Sequence, residues 1–248
     1  IEYRAAGLNH LSILLEARYK NTGKDGYPII KQNFDAYFSD LVNKHDAKPS
    51  KPGAERGVFR KLFKTYGYLP ITTDSHLGEY IQWAYSVADH DAILDFYDNY
   101  KEKCLAFYDN KTSYDHYFDL KNLDTHERVV PIIEGILSDS AYEEPAINIP
   151  NNGYIECLPK DIVVEVPGII NKSGISGISF KNYPAAFGSL LNSQSGVIQM
   201  TTDAVLNASK HSAYLALLAD PVVNDSFQAE KLLNNMLETQ GKFLYYLK

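Results

Sequence analysis

The sequence predicts a helix-rich α+β domain with a small antiparallel sheet, and three observations carry that expectation. Long stretches repeat apolar residues at helical spacing, as over 91–108, where Ile93, Phe96, Tyr97, Tyr100 and Leu105 recur. One block breaks the pattern: 146–149, 154–157 and 162–167 are short β-branched runs separated by Asn-Asn-Gly and Pro-Lys-Asp turns. At 248 residues and 45% hydrophobic content, the chain can also bury a sizeable core.

The elements follow in order. Ile1-Glu2-Tyr3-Arg4 reads as the middle of a strand, so a segment upstream is expected. Over 8–19, Leu11, Leu14, Leu15 and then Arg18-Tyr19 suggest a helix with Asn9 and His10 at its N-terminal end. A Gly- and Pro-containing loop over 21–28 leads to a helix over 30–44, and Lys48-Pro49-Ser50-Lys51-Pro52-Gly53 breaks it. Helices are expected over 55–66, ending at Gly67, and over 74–88, with Leu77, Tyr80, Ile81 and Ala84 on one face. Further helices are expected over 91–108 and 127–137. After the three strands, the pattern returns to helix over 183–191, 198–218 and 227–246. Asp220-Pro221 separates the last two, and Asp225 with Gln228 makes a capping pair.

Composition excludes several classes of function. The net charge is -7 and no Lys/Arg block is present, which argues against a nucleic-acid partner. No apolar run approaches the ~18–20 residues of a membrane span, and no leader-like start opens the chain. Cys104 and Cys157 are isolated, without C-x-x-C spacing, so neither a disulfide framework nor a zinc ribbon is expected. A reducing, cytoplasmic setting fits best. Gly174 and Gly177 do not form G-x-G-x-x-G, and no strand-glycine-helix unit for a dinucleotide occurs.

Three stretches could carry chemistry. In Ala6-Gly7-Leu8-Asn9-His10, a neutral imidazole suits a Mn²⁺- or Zn²⁺-class ion, and the adjacent carboxamide can bind a sugar hydroxyl; a cap or a packed histidine is the bland alternative. In Thr72-Thr73-Asp74-Ser75-His76-Leu77-Gly78-Glu79-Tyr80, ionisable groups crowd the mouth of a helix, where an acid can equally be a simple cap. Asn148-Ile149-Pro150-Asn151-Asn152-Gly153 by composition alone is a hairpin turn. Arg56, Arg60 and Lys64 recur at near-helical spacing just before Asp74, usually the mark of a solvated face.

Taken together and in this order, the three stretches resemble the C-terminal half of the family-4 glycoside hydrolases, and most closely the α-galacturonidase/α-glucuronidase branch. The turn at Asn148, followed by Leu158-Pro159 and Val164-Glu165-Val166-Pro167, is the most specific part of the likeness. The resemblance implies that residues 1–248 are one catalytic, substrate-binding and oligomerisation domain. Such a domain resembles the C-terminal part of lactate and malate dehydrogenases and normally follows a Rossmann domain, absent here. It implies NAD and Mn²⁺, or another divalent metal, as cofactors, with His10 as a metal ligand. A second ligand, a Cys, would lie in an upstream motif, and neither Cys104 nor Cys157 matches it. Asp74 would be the base that removes the sugar C2 proton, with Tyr80 as its substitute, while His76, Asn9, Asn151 and Asn152 would face the substrate.

The implied activity is hydrolysis of α-glycosides of uronic acids, by NAD-assisted oxidation at C3, C2 proton abstraction and elimination. The implied partners are a small carbohydrate substrate, the upstream Rossmann domain and further copies of the chain in a dimer or tetramer. An α-galactosidase or α-glucosidase of the same family is the alternative. Outside it stand a 2-hydroxy-acid dehydrogenase, which would consume cofactor and ignore metal, and a module for oligomerisation that is inert alone.

Overall fold

The structure is a computed structural model that describes residues 1–44, 56–88, 90–109 and 128–248. It is helix-rich around one antiparallel sheet, as expected. Strands β1 (Glu2–Leu8), β2 (Leu11–Arg18), β3 (Tyr142–Pro150), β4 (Val163–Asn171) and β5 (Gly174–Gly177) pair in the order β2-β1-β4-β3, with β5 on β4. The sheet therefore joins a hairpin from the start of the chain to strands from its middle.

That hairpin corrects the expectation of a helix over 8–19. Asn9 and His10 are the turn, with Leu8 opposite Leu11 and Gly7 opposite Ser12. The sequence misleads because β2 is covered on both faces. Leu11 and Ile13 enter the main apolar cluster, whereas Leu14 and Ala17 join a second one with Tyr27, Phe34 and Phe63. A strand buried on both sides reads as a continuous apolar run, which no longer separates a period of two from one of 3.6. The free edge of β2 is closed by the 69–71 loop, where the Leu14 and Ile71 amides donate to Leu69 and Ser12 carbonyls, across the edge, at 2.8 and 2.9 Å.

Helices α1 (Tyr27–Lys44), α2 (Gly57–Tyr66), α3 (Asp74–Tyr80), α4 (His90–Asp109) and α5 (Val129–Ser138) precede β3. Helix α2 ends at Gly67 in the left-handed conformation that favours glycine, as expected. The helix expected over 74–88 is two pieces, α3 and a 3₁₀ turn over Gln82–Ser86. The expected break at 48–53 lies outside the described residues. Of the three expected strands, the middle one (154–157) is a turn whose only strand-like pairing among the described residues is an isolated parallel bridge from Ile155 to Phe180. After β5 run α6 (Ala185–Leu206), α7 (Lys210–Ala219), α8 (Ser226–Thr239) and α9 (Gly241–Leu244). The division falls at Ser209, whose hydroxyl accepts from the Ser212 amide, rather than near residue 198. Asp225 caps α8 by accepting from the Phe227 and Gln228 amides. The main cluster lies between sheet and helices, with Phe187 and Leu191 of α6 and Val58, Leu62 and Leu77 against Val164 and Val166.

Two residues expected in the site belong to this framework instead. Asp74 is 0% exposed, and its carboxylate accepts from the Val58 and Phe59 amides at 2.8 and 2.9 Å. Arg56, the residue that precedes α2, offers no side-chain cap. Asp74 thus satisfies the N-terminus of α2 from sixteen residues away, and the expectation of a proton-abstracting Asp74 does not fit a carboxylate held there. Asn151 is likewise 0% exposed. Its amide nitrogen donates to the Ile155, Leu158 and Pro159 carbonyls at 3.0, 3.0 and 2.9 Å, and its oxygen accepts from the Ile155 amide at 2.7 Å. It organises the turn and cannot face a substrate, and its neighbour Asn152 is an exposed turn residue with φ 46°.

These roles make two stability predictions. Asn151→Asp places a carboxylate oxygen against three carbonyls and should lose about 3 kcal/mol or more in denaturant unfolding, whereas Asn152→Gly, at a positive φ, should be neutral or slightly stabilising. Asp74→Asn turns one acceptor into a donor facing an amide N–H and should cost about 2 kcal/mol. An Asp74→Asn protein of unaltered unfolding midpoint would remove the capping role.

Candidate functional site

The functional geometry starts at the hairpin turn. His10 has a left-handed backbone, φ 60°, and is exposed. Its ring packs on that of His76, with centroids 4.1 Å apart and planes tilted by 31°. Gly7 allows this tight hairpin, since a Cβ there would stand 2.5 Å from the Ser12 Cα. His76 sits one turn before Tyr80 on α3, so both leave the same face of that helix. The His76 Nδ1 is buried without a hydrogen-bond partner. The nearest carboxylate oxygen, on Glu79, is 3.6 Å away, beyond hydrogen-bond reach.

Beside the turn lies a cavity of about 480 Å³, and its lining is mostly carboxamide, hydroxyl and aliphatic. Asn9 and Leu11 come from the hairpin and Tyr80 from the end of α3. Asn148 comes from β3, Asp161, Ile162 and Val163 from the approach to β4, and Gln194, Gln199 and Thr202 from α6. Gln194, 4% exposed, fixes one wall of it: its amide donates to the Tyr80 backbone carbonyl at 3.1 Å. Burial, reinforced by Glu79, raises the Tyr80 phenol above its ordinary value, so the hydroxyl carries its proton at neutral pH.

The expected site residues therefore separate. His10 and His76 are in contact, and Asn9 and Tyr80 share the cavity that the hairpin and α3 enclose; Asp74, Asn151 and Asn152 lie outside it. Asn148, Gln194, Gln199 and Thr202 were missed. Asn148 lay within the quoted motif, and strand alternation could have separated it from Asn151, which follows the strand. The α6 residues carry no sequence signal, because Gln194, Gln199 and Thr202 look like any polar positions of a long helix.

Among the described residues, no three or more His, Cys, Asp or Glu gather as a metal site. The imidazole pair fits a divalent ion in its donor chemistry, and the His76 Nδ1 has no hydrogen-bond partner among the described residues. It makes a partial ligand set. Arg56, Arg60 and Lys64 do not line the cavity. Arg56 donates to the Thr72 carbonyl and Lys64 pairs with Asp35 at 2.6 Å.

The chain is 38% identical to an α-glucosidase of Erwinia rhapontici over its whole length, covering 58% of that protein. It is 27% identical to an α-galacturonidase of Thermoanaerobacterium saccharolyticum over 98% of the chain and 54% of the relative. The chain thus spans a little over half the length of these relatives. Among solved structures, a 6-phospho-α-glucosidase from gut microorganisms in complex with NAD and Mn²⁺ shares the fold, with a TM-score of 0.73 at 19% identity over 98% of this chain and 55% of that one. Residues 5–223 match the family 4 glycosyl hydrolase C-terminal domain, and the chain belongs to that family.

Proposed function

We propose that this chain is the substrate-binding and catalytic C-terminal domain of an NAD- and Mn²⁺-dependent glycosidase that cleaves α-glycosides by oxidation at C3, C2 proton abstraction and elimination. The observation that carries the reading is the cavity that Asn9 and Tyr80 share beside the His10 and His76 rings. The cofactors come from the 6-phospho-α-glucosidase complex with NAD and Mn²⁺, and the α-linkage from the α-glucosidase and α-galacturonidase relatives. When bound, they would supply a hydride acceptor and a positive charge that makes the C2 proton acidic.

The chain's own residues have separate tasks. His10 would hold the divalent ion, and His76 packs on its ring. Tyr80, as the phenolate that a bound cation would favour by drawing off the phenolic proton, would take the C2 proton in place of Asp74, and Gln194 fixes the backbone from which the phenol projects. Asn9, Asn148, Gln199 and Thr202 offer donors and acceptors suited to sugar hydroxyls. Among the described residues the cavity lining contains no Lys or Arg, so a neutral hexoside fits this wall better than a uronide. The α-galacturonidase relatives keep the uronide as the second reading. An upstream Rossmann domain would bring the nicotinamide. Exposed Leu206 and Phe227, 77% and 81% accessible, offer apolar surface for a second copy in a dimer or tetramer.

In D₂O, the complete enzyme with NAD⁺ and Mn²⁺ should release sugar carrying deuterium at C2, without accumulating NADH; product with only protium at C2 excludes elimination. Rates on aryl α-glucoside and aryl α-galacturonide decide the sugar, with the glucoside expected to be faster. Tyr80→Phe should lower kcat by about 10²- to 10⁴-fold while Mn²⁺ binding persists, whereas His10→Ala should weaken Mn²⁺ in direct titration. Full kcat in Tyr80→Phe would return the proton transfer to another group.

A further inference from the structure

We propose that Glu165 is a positioning residue, which sets the Asn9-His10 turn from the neighbouring strand and thereby aims the His10 imidazole; this rests on the reading of His10 as a metal ligand. Glu165 lies on β4 opposite Gly7 of β1 and Asn148 of β3. One carboxylate oxygen accepts from the Asn9 side-chain amide and the other from the Ser12 hydroxyl, both at 3.2 Å. The two donors stand on either side of His10 in sequence, and Asn9 and His10 are the whole tip of the hairpin.

Three features make this more than a strand contact. His10 has a positive φ, which for a residue with a side chain is costly and persists only where the surroundings impose it. The register between β1 and β4 is the single pair Gly7 and Glu165, so the backbone ladder does little to tie the turn to β4 and the side chain takes that part. A carboxylate also accepts at both oxygens, whereas a carboxamide accepts at one, and an acceptor-only group suits a site that receives two donors. Ser12 is 0% exposed, so its hydroxyl has no alternative in bulk water. Glu165 does not line the cavity whereas Asn9 does, so Glu165 acts through the turn and not on the substrate.

The complete enzyme carrying Glu165→Gln tests this, with Ser12→Ala as a milder variant that deletes one donor. Hydrogen exchange without metal should quicken in the peptide spanning Asn9 to Ser12. Mn²⁺ affinity and kcat should each fall roughly ten- to a hundredfold, the range found when groups behind a metal ligand are altered, while KM for the glycoside changes little. Ser12→Ala should move every readout in the same direction by less, and decides the matter if Glu165→Gln does not fold. A folded Glu165→Gln enzyme with wild-type Mn²⁺ affinity and kcat overturns the positioning role and leaves His10 as a ligand untouched. A wild-type enzyme that binds no Mn²⁺ overturns the metal reading of His10, and this role with it.

Discussion

The burial of β2 on both faces is the constraint from which the site follows. With Leu11 and Ile13 in one apolar cluster and Leu14 and Ala17 in the other, the strand cannot shift by one residue without exchanging the two sets between the clusters. That register fixes where the hairpin closes, and the closure leaves only Asn9 and His10 for the turn. The positive φ of His10 is thus a consequence of packing several residues away, sustained because the core on either side would have to be disrupted to relieve it. The edge of β2 also holds the 69–71 loop, which leads into α3, so the strand that places His10 also sets the start of the helix that carries His76 and Tyr80.

Burial divides the polar residues of the motifs into two kinds. Asp74 and Asn151 are fully enclosed, and their hydrogen bonds go to backbone groups that would otherwise be orphaned: the amides that open α2 and the carbonyls of the 155–159 turn. Asn9, Tyr80 and Asn148 are near them in sequence but face the cavity. Within Asp74-Ser75-His76-Leu77-Gly78-Glu79-Tyr80, one end therefore anchors the scaffold and the other lines the cavity. A motif can combine both tasks because the same short helix must be held rigidly to present its exposed face with accuracy.

This mixture limits what could be read from the sequence. The helix-rich α+β class, the αL end of α2 at Gly67 and the Asp225 cap were legible because each rests on local chemistry: apolar spacing, a glycine without a Cβ, a carboxylate beside free amides. The first hairpin was not, since a doubly buried strand and a short helix share one apolar pattern. The individual site roles were only half legible. Tyr80 lines the cavity and His10 touches His76, but His10 does so from a hairpin turn and not from the expected helix start. Asp74 could not be recognised as the cap of α2, because it lies sixteen residues from the amides it serves and capping is ordinarily read within one turn. Gln194 is harder still: its bond to the Tyr80 carbonyl spans 114 residues, and nothing within α6 distinguishes it from other polar positions.

The charge of the cavity bears on mechanism as much as on substrate. Most glycosidases place two carboxyl groups across the scissile bond, one as acid and one as base or nucleophile. Among the described residues the wall contains a single carboxylate, Asp161, alongside carboxamides and hydroxyls, and the acid of the motif, Asp74, is withdrawn into the scaffold. What faces the cavity instead is a phenol whose burial and neighbouring Glu79 keep it protonated. A phenol is a poor base until a positive charge stands nearby, and among the described residues the cavity lining offers no lysine or arginine to supply one. On the proposed reading, one carboxylate, a phenol and an imidazole pair would serve proton abstraction from carbon rather than direct displacement at the glycosidic bond.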